Sequence, residues 1–96
     1  TSTSLRNDIG AIRQAMDAAG HSGLLMVDCI ASLGCDRFDM DGWGVDVMVT
    51  GSQKGLMTPP GLAFVFFSDK AAQARKRLGQ ISYYWDWEPR ANPEEF

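Results

Sequence analysis

The chain is poor in the residues that build metal centres. It has one histidine, His21, and two cysteines, Cys29 and Cys35, in 96 residues. Metal sites need such ligands at set spacings, and these three do not supply one. Asp36, Asp39 and Asp41 fall close together, but they fit no EF-hand and the closing acid is missing. They are expected to form a solvated acidic loop, with no metal. The cysteines make no CxxC pair and lie beside a predicted buried strand, which favours free thiols in a reducing compartment over a disulfide. Basic residues are also scarce: nine Lys and Arg against twelve Asp and Glu give a net charge of −3. A general nucleic-acid binder needs a basic surface, so nucleic acid is not an expected partner. No apolar run approaches the length that crosses a bilayer, so no membrane partner is expected, and no charged-then-apolar leader opens the chain. The initial Met is missing as well. A start on Thr1-Ser2-Thr3-Ser4 and a stop at Phe96 read as a segment of a longer protein.

What is present is ordinary for one globular domain, with 45% hydrophobic and 22% charged residues. The organising stretch is Gly51-Ser52-Gln53-Lys54-Gly55-Leu56-Met57-Thr58-Pro59-Pro60-Gly61, between the apolar runs Val45 to Val49 and Leu62 to Phe67. A lysine at the end of a buried strand, flanked by glycines and stopped by a Pro-Pro-Gly turn, is unusual for a solvated charge. Glycine lets the backbone approach another group closely. Apolar surroundings disfavour a charged amine, and a neutral amine can attack a carbonyl to form a Schiff base. The competing reading is a loop lysine in water.

Ahead of that stretch, Ser4 is a candidate N-cap, and Ile9, Ile12, Met16 and Ala19 make one apolar helical stripe that Gly20 ends. The spacing predicts a helix from about Leu5 to Ala19. His21 falls in a loop and has no expected catalytic role. Leu24 to Asp28 predicts a strand covered on both faces, as in a parallel sheet. Asp28 stands at its carboxyl end, where open α/β sheets bind ligands. It either binds a partner there or caps the following turn. Val45 to Thr50 predicts a second strand after a link long enough for a parallel crossover. Asp28 and Lys54 would then converge at one edge. Leu62 to Phe67 predicts a third strand, and the short Pro-containing link before it favours an antiparallel pair. Ser68 caps a second predicted helix with Ala71, Ala74 and Leu78 inward, ending at Gly79. The tail carries Tyr83, Tyr84, Trp85 and Trp87, then Pro89 and Pro93. Aromatics this dense need cover, from another domain or a partner subunit.

Leu25-Met26-Val27-Asp28-Cys29-Ile30-Ala31-Ser32-Leu33-Gly34, followed by Gly51-Ser52-Gln53-Lys54-Gly55-Leu56 and Pro59-Pro60-Gly61, resembles the class V pyridoxal-phosphate aminotransferases, in the alanine–glyoxylate and serine–glyoxylate branch. Thr1-Ser2-Thr3 resembles a Ser/Thr-rich motif upstream in that branch, with Ser4 where relatives commonly have Gly. The resemblance implies an α/β fold: part of a fold-type I PLP-transferase large domain, a mostly parallel sheet with one antiparallel strand and helices packed on it. Residues 1–96 would be the central segment of that cofactor-binding domain, with the main phosphate loop before it and a small C-terminal domain after it. The segment alone would be inactive and unstable.

The resemblance also implies roles. Lys54 is the catalytic residue that holds pyridoxal 5'-phosphate covalently, and Asp28 pairs with the pyridine nitrogen. Ile30 lies against the ring, Gln53 near the phosphate, and Thr1 supplies a hydroxyl near the cofactor. The implied function is transamination of a small amino acid, alanine or serine, with glyoxylate or pyruvate as acceptor. The implied partners are amino acid and 2-oxo acid substrates and a second subunit, in a homodimer that shares its active sites. The implied setting is cytoplasmic, or peroxisomal in a eukaryote. The alternatives are another class V enzyme, such as a phosphoserine aminotransferase or a lyase, and a non-catalytic α/β interaction segment. Cysteine desulfurases are disfavoured, because Gln53 replaces their usual histidine and no cysteine follows Cys35.

Overall fold

In a computed structural model of the chain, the described residues are 1–92 and Glu94. Pro93 and Phe96 lie outside them. The elements run α1 (Ile9–Ala18), β1 (Met26–Asp28), β2 (Val47–Gly51), β3 (Ala63–Phe67), α2 (Asp69–Arg77) and α3 (Glu88–Ala91). The first helix begins later than its apolar stripe predicts. Asp8, not Ser4, is the N-cap, and its carboxylate accepts from the Ala11 N–H at 3.0 Å. Ser4 is held in a turn, donating its N–H to the Thr1 carbonyl at 3.0 Å, with a left-handed φ of 55° that no helix allows. The C-terminus is as read. Gly20 adopts a φ of 64°, its N–H reaches the Asp17 carbonyl, and the His21 N–H reaches the Met16 carbonyl. Those two bonds satisfy carbonyls that the helix end leaves free.

The sheet has the order β1-β2-β3, with β1 parallel and β3 antiparallel to β2. Asp28 sits opposite Val49, and Gly51 opposite Ala63. Side chains alternate between faces. On one face Val27 and Met48 join Leu25, Cys29 and Val45 in the core, covered by Ile9 and Met16 of α1 and by Leu33, Phe38, Met40 and Trp43 of the crossover. Phe38 and Trp43 meet edge to face at 5.4 Å. No helix forms in this crossover. Cys29 is fully buried, and that burial pushes its thiol up.

The other face is covered at one end only. Ala71 of α2 is fully buried, Val47 is buried, and Phe67 stacks on Trp87 at 4.8 Å. The expectation of a first strand covered on both faces fails here: Met26 is 66% exposed. The described residues place α2 and the tail over the far end of β2 and β3, and leave β1 and the near end open. The tail aromatics divide in the same way. Trp87 packs, and Tyr83, Tyr84 and Trp85 stay exposed. Arg75 anchors the tail through paired bonds to Asp86.

Candidate functional site

The chemistry-bearing loops leave the sheet at the carboxyl ends of β1 and β2. Parallel pairing puts both ends on one edge, where ligands of open α/β sheets bind. The pairing extends beyond the strands: the Cys29 N–H donates to the Val49 carbonyl at 2.8 Å, and the Thr50 hydroxyl donates to the Cys29 carbonyl at 3.3 Å. The loops then interlock at two glycines. A Cβ on Gly34 would stand 2.7 Å from the Gly55 carbonyl oxygen, and one on Gly55 would collide with the Leu33 carbonyl and lie 2.8 Å from the Cys35 sulfur. Only glycine allows two backbones to come this close. The peptide beside Lys54 is therefore seated against the loop that Asp28 begins.

Asp28 is exposed at this edge, and its Oδ1 accepts from the Ile30 N–H at 2.9 Å. That bond is the turn-capping role. Its Oδ2 accepts nothing among the described residues, so one carboxylate serves the turn and still presents a free acceptor. Ile30 follows it, 40% exposed. Lys54 lies three residues past the end of β2 and is exposed, not enclosed by apolar side chains as its position after a buried strand predicted. Its amine makes no hydrogen bond or ion pair among the described residues. Gln53 is exposed, and its amide folds back over Gly51, whose added Cβ would lie 3.2 Å from Gln53 Oε1. Thr1 is exposed, and no described hydrogen bond links it to Asp28 or Lys54. Its segment is tied to the same edge indirectly, because Arg6 pairs with Asp36 at 2.8 Å. The guanidinium holds the Asp36 carboxyl below its usual range. His21 is exposed and accepts from the Gly23 N–H, a loop role. Among the described residues no cluster of three or more His, Cys, Asp or Glu side chains could hold a metal.

Residues 2–83 match the family described as Aminotransferase class-V. The chain belongs to that family. It is 58% identical to an L-aspartate–glyoxylate aminotransferase of Paracoccus denitrificans over 74 residues, covering 77% of this chain and 19% of the relative. It is 42% identical to a serine–glyoxylate aminotransferase of Methylorubrum extorquens, covering 97% of this chain and 25% of the relative. Its fold matches the crystal structure of an alanine–glyoxylate aminotransferase from Nostoc with a TM-score of 0.81 at 27% identity, over 95% of this chain and 25% of that one. The chain thus spans about a fifth to a quarter of the length of these relatives. The mixed sheet with its helices is a piece of the class V aminotransferase fold.

Within this class V chain, two buried polar residues escaped the sequence reading. Ser52 is 2% exposed and knots the base of the Lys54 loop: its hydroxyl donates to the Pro59 carbonyl at 2.7 Å, and its carbonyl accepts from the Thr58 hydroxyl at 2.6 Å. A serine between Gly51 and Gln53 carries no signal by type. The nearby Pro59-Pro60 turn, which brings the chain back over Ser52, was the available clue. Asp46 is 4% exposed and accepts from the Leu25 N–H at 2.8 Å, the Ser68 hydroxyl at 3.1 Å and Arg13 at 3.3 Å. It ties α1, the sheet and α2 together at the end of β2 away from Lys54. Its place inside the run Val45 to Val49 gave no sign of this role.

Proposed function

We propose that the chain is the central segment of the cofactor-binding large domain of a pyridoxal-phosphate-dependent aminotransferase, with Lys54 as the catalytic amine. One observation carries the reading: a free carboxylate oxygen on Asp28 and an unengaged amine on Lys54 stand on loops that leave one sheet edge and touch at Gly34 and Gly55. This donor set fits the cofactor. A ring N–H needs an acceptor, an aldehyde needs a primary amine, and both groups are left free by the chain's own hydrogen bonding.

When bound, pyridoxal phosphate supplies an aldehyde carbon for attachment and a ring that withdraws electrons from the substrate Cα. Lys54 Nζ is the primary amine that would hold the cofactor through that carbon. As a free amine, Lys54 would serve as the general base that takes the proton from the substrate Cα and would hold that proton for its return. Asp28 holds the proton on the ring nitrogen, because an adjacent negative charge favours the protonated ring. Ile30 supplies an apolar surface for the ring, Gln53 a polar side chain near the phosphate, and Thr1 a hydroxyl.

The acceptor in this proposal is glyoxylate, which the names of all three relatives share, with a small amino acid such as alanine or serine as donor. The aspartate in the name of the Paracoccus relative makes aspartate the third donor to assay. The proposal extends to a homodimer with shared active sites and a cytoplasmic setting. The uncovered sheet face fits the first, and the free thiols of Cys29 and Cys35 fit the second. The test is borohydride treatment of the whole protein, digestion and peptide mass analysis. A pyridoxyl adduct on Lys54 is expected. An unmodified Lys54 in folded protein supplied with the cofactor overturns the proposal, as does a Lys54→Ala protein with full transaminase activity.

A further inference from the structure

We propose that Ser52 and Thr58 are positioning residues that set where the Lys54 amine stands, acting through the backbone of its loop and not by touching cofactor or substrate. The inference rests on the functional reading above. Ser52 is bonded through every polar group it has. Its N–H donates to the Leu62 carbonyl at 3.1 Å, and its hydroxyl donates to the Pro59 carbonyl at 2.7 Å and accepts from the Leu62 N–H at 3.4 Å. Its carbonyl accepts from both the N–H of Thr58, at 3.2 Å, and the Thr58 hydroxyl, at 2.6 Å. At 2% exposure and fully bonded, Ser52 is no nucleophile. Its bonds close the chain into a ring from residue 52 to residues 58–62, and Lys54 sits inside that ring.

The rest of the ring shows that the clamp is needed. The Met57 N–H donates to the Lys54 carbonyl at 2.9 Å, which fixes the lysine's own peptide. Met57 reaches that geometry at a φ of 55°, left-handed for a non-glycine residue, with its side chain 90% exposed. No packing of its own holds it there. Such a conformation persists only where the surroundings over-determine it. Thr58, the next residue, supplies the restraint through its two bonds to Ser52. On the opposite side, Gly55 is seated against Leu33 and Cys35. Lys54 is thus held from both sides, and only its four-carbon stem is free to move. A reacting group needs this, because a small misplacement at a catalytic group costs large factors in rate.

The test uses the whole protein carrying Ser52→Ala, Thr58→Val or Thr58→Ser. One readout needs no turnover: the rate at which cofactor-free protein captures pyridoxal phosphate on Lys54, followed by hydride trapping and mass. The second is the split of kcat against KM. Ser52→Ala and Thr58→Val are expected to slow capture and to lower kcat by about tenfold, with the amino acid KM moving less than about twofold. Thr58→Ser keeps the hydroxyl and is expected to stay within about twofold of the parent in both. If Ser52→Ala fails to fold, Thr58→Val decides, because Thr58 is exposed. Unchanged capture and kcat in the folded variants overturn the inference while Lys54 still traps the cofactor. Parent protein that traps nothing on Lys54 overturns the functional reading, and this inference with it.

Discussion

Asp28 shows how one side chain can answer to two roles. One oxygen closes the turn onto the Ile30 N–H and the other is free. Asp28→Asn separates them. The amide oxygen still closes the turn, but an NH₂ now stands where an acceptor was, and it cannot hold a proton on a ring nitrogen. The variant is expected to fold with unchanged stability and to lose about a hundredfold in transaminase kcat, the order seen when one preorganised electrostatic partner is removed. Circular dichroism melting and steady-state kinetics on the whole protein check it. A kcat within about twofold of the parent would leave Asp28 as a turn cap alone. The turn cap was legible in the sequence, and so was the need for a further partner, because an acid ending an apolar strand needs one and commonly also meets its own backbone. Lys54 was legible by position but not by surroundings. Strand burial was carried past the end of β2 into a loop, and loops lie at the surface. Ser52 was legible only through the Pro59-Pro60 turn, since the bonds that bury it come from residues six and seven positions on.

At the scale of elements, strand order and directions followed from loop lengths and apolar runs, whereas the first helix started late. Its cap depends on which residue can turn the chain, and the Ser4 backbone, turned left-handed, cannot serve. Asp8→Ala is therefore expected to cost about 1 kcal/mol of stability and Ser4→Ala almost none, read by denaturant midpoints. A larger loss at Ser4 would restore the earlier start. The attachment of the tail to α2 is set by charge. The Arg75 guanidinium lowers the Asp86 carboxyl from its ordinary 3.8 to about 2. A depressed acid stabilises the folded form above its unfolded pKa, and that contribution is lost as pH falls through the folded one. The tail should thus stay docked above pH 4 and release between about 4 and about 2, seen as loss of the Phe67–Trp87 stack by tryptophan fluorescence. Asp86→Asn should abolish the transition. Asp36, also depressed, titrates beside Arg6 in the loop after β1 and should leave that signal unmoved.

The whole molecule is a slab. Its extents are 40 × 38 × 21 Å and its radius of gyration is 14.9 Å, against about 12–13 Å for a self-contained globule of this length. The flat shape follows from three strands with both outer edges unpaired and one face half covered. Met26 at the start of β1, Leu62 beside the site edge and Val65 midway along β3 remain 66%, 67% and 46% exposed. Apolar surface of this kind does not stay in water when an alternative exists, and unpaired strand edges offer one. The 96-residue chain on its own is therefore expected to self-associate, with weight-average mass in sedimentation equilibrium rising with concentration. Val65→Lys places a charge on the open face of edge strand β3, pointing away from the Met48 core, and is expected to raise the monomer fraction. If the parent chain sediments as a stable monomer, the open face is tolerated by water. The fit between that face and a homodimer would then no longer support the assembly proposed for the whole protein.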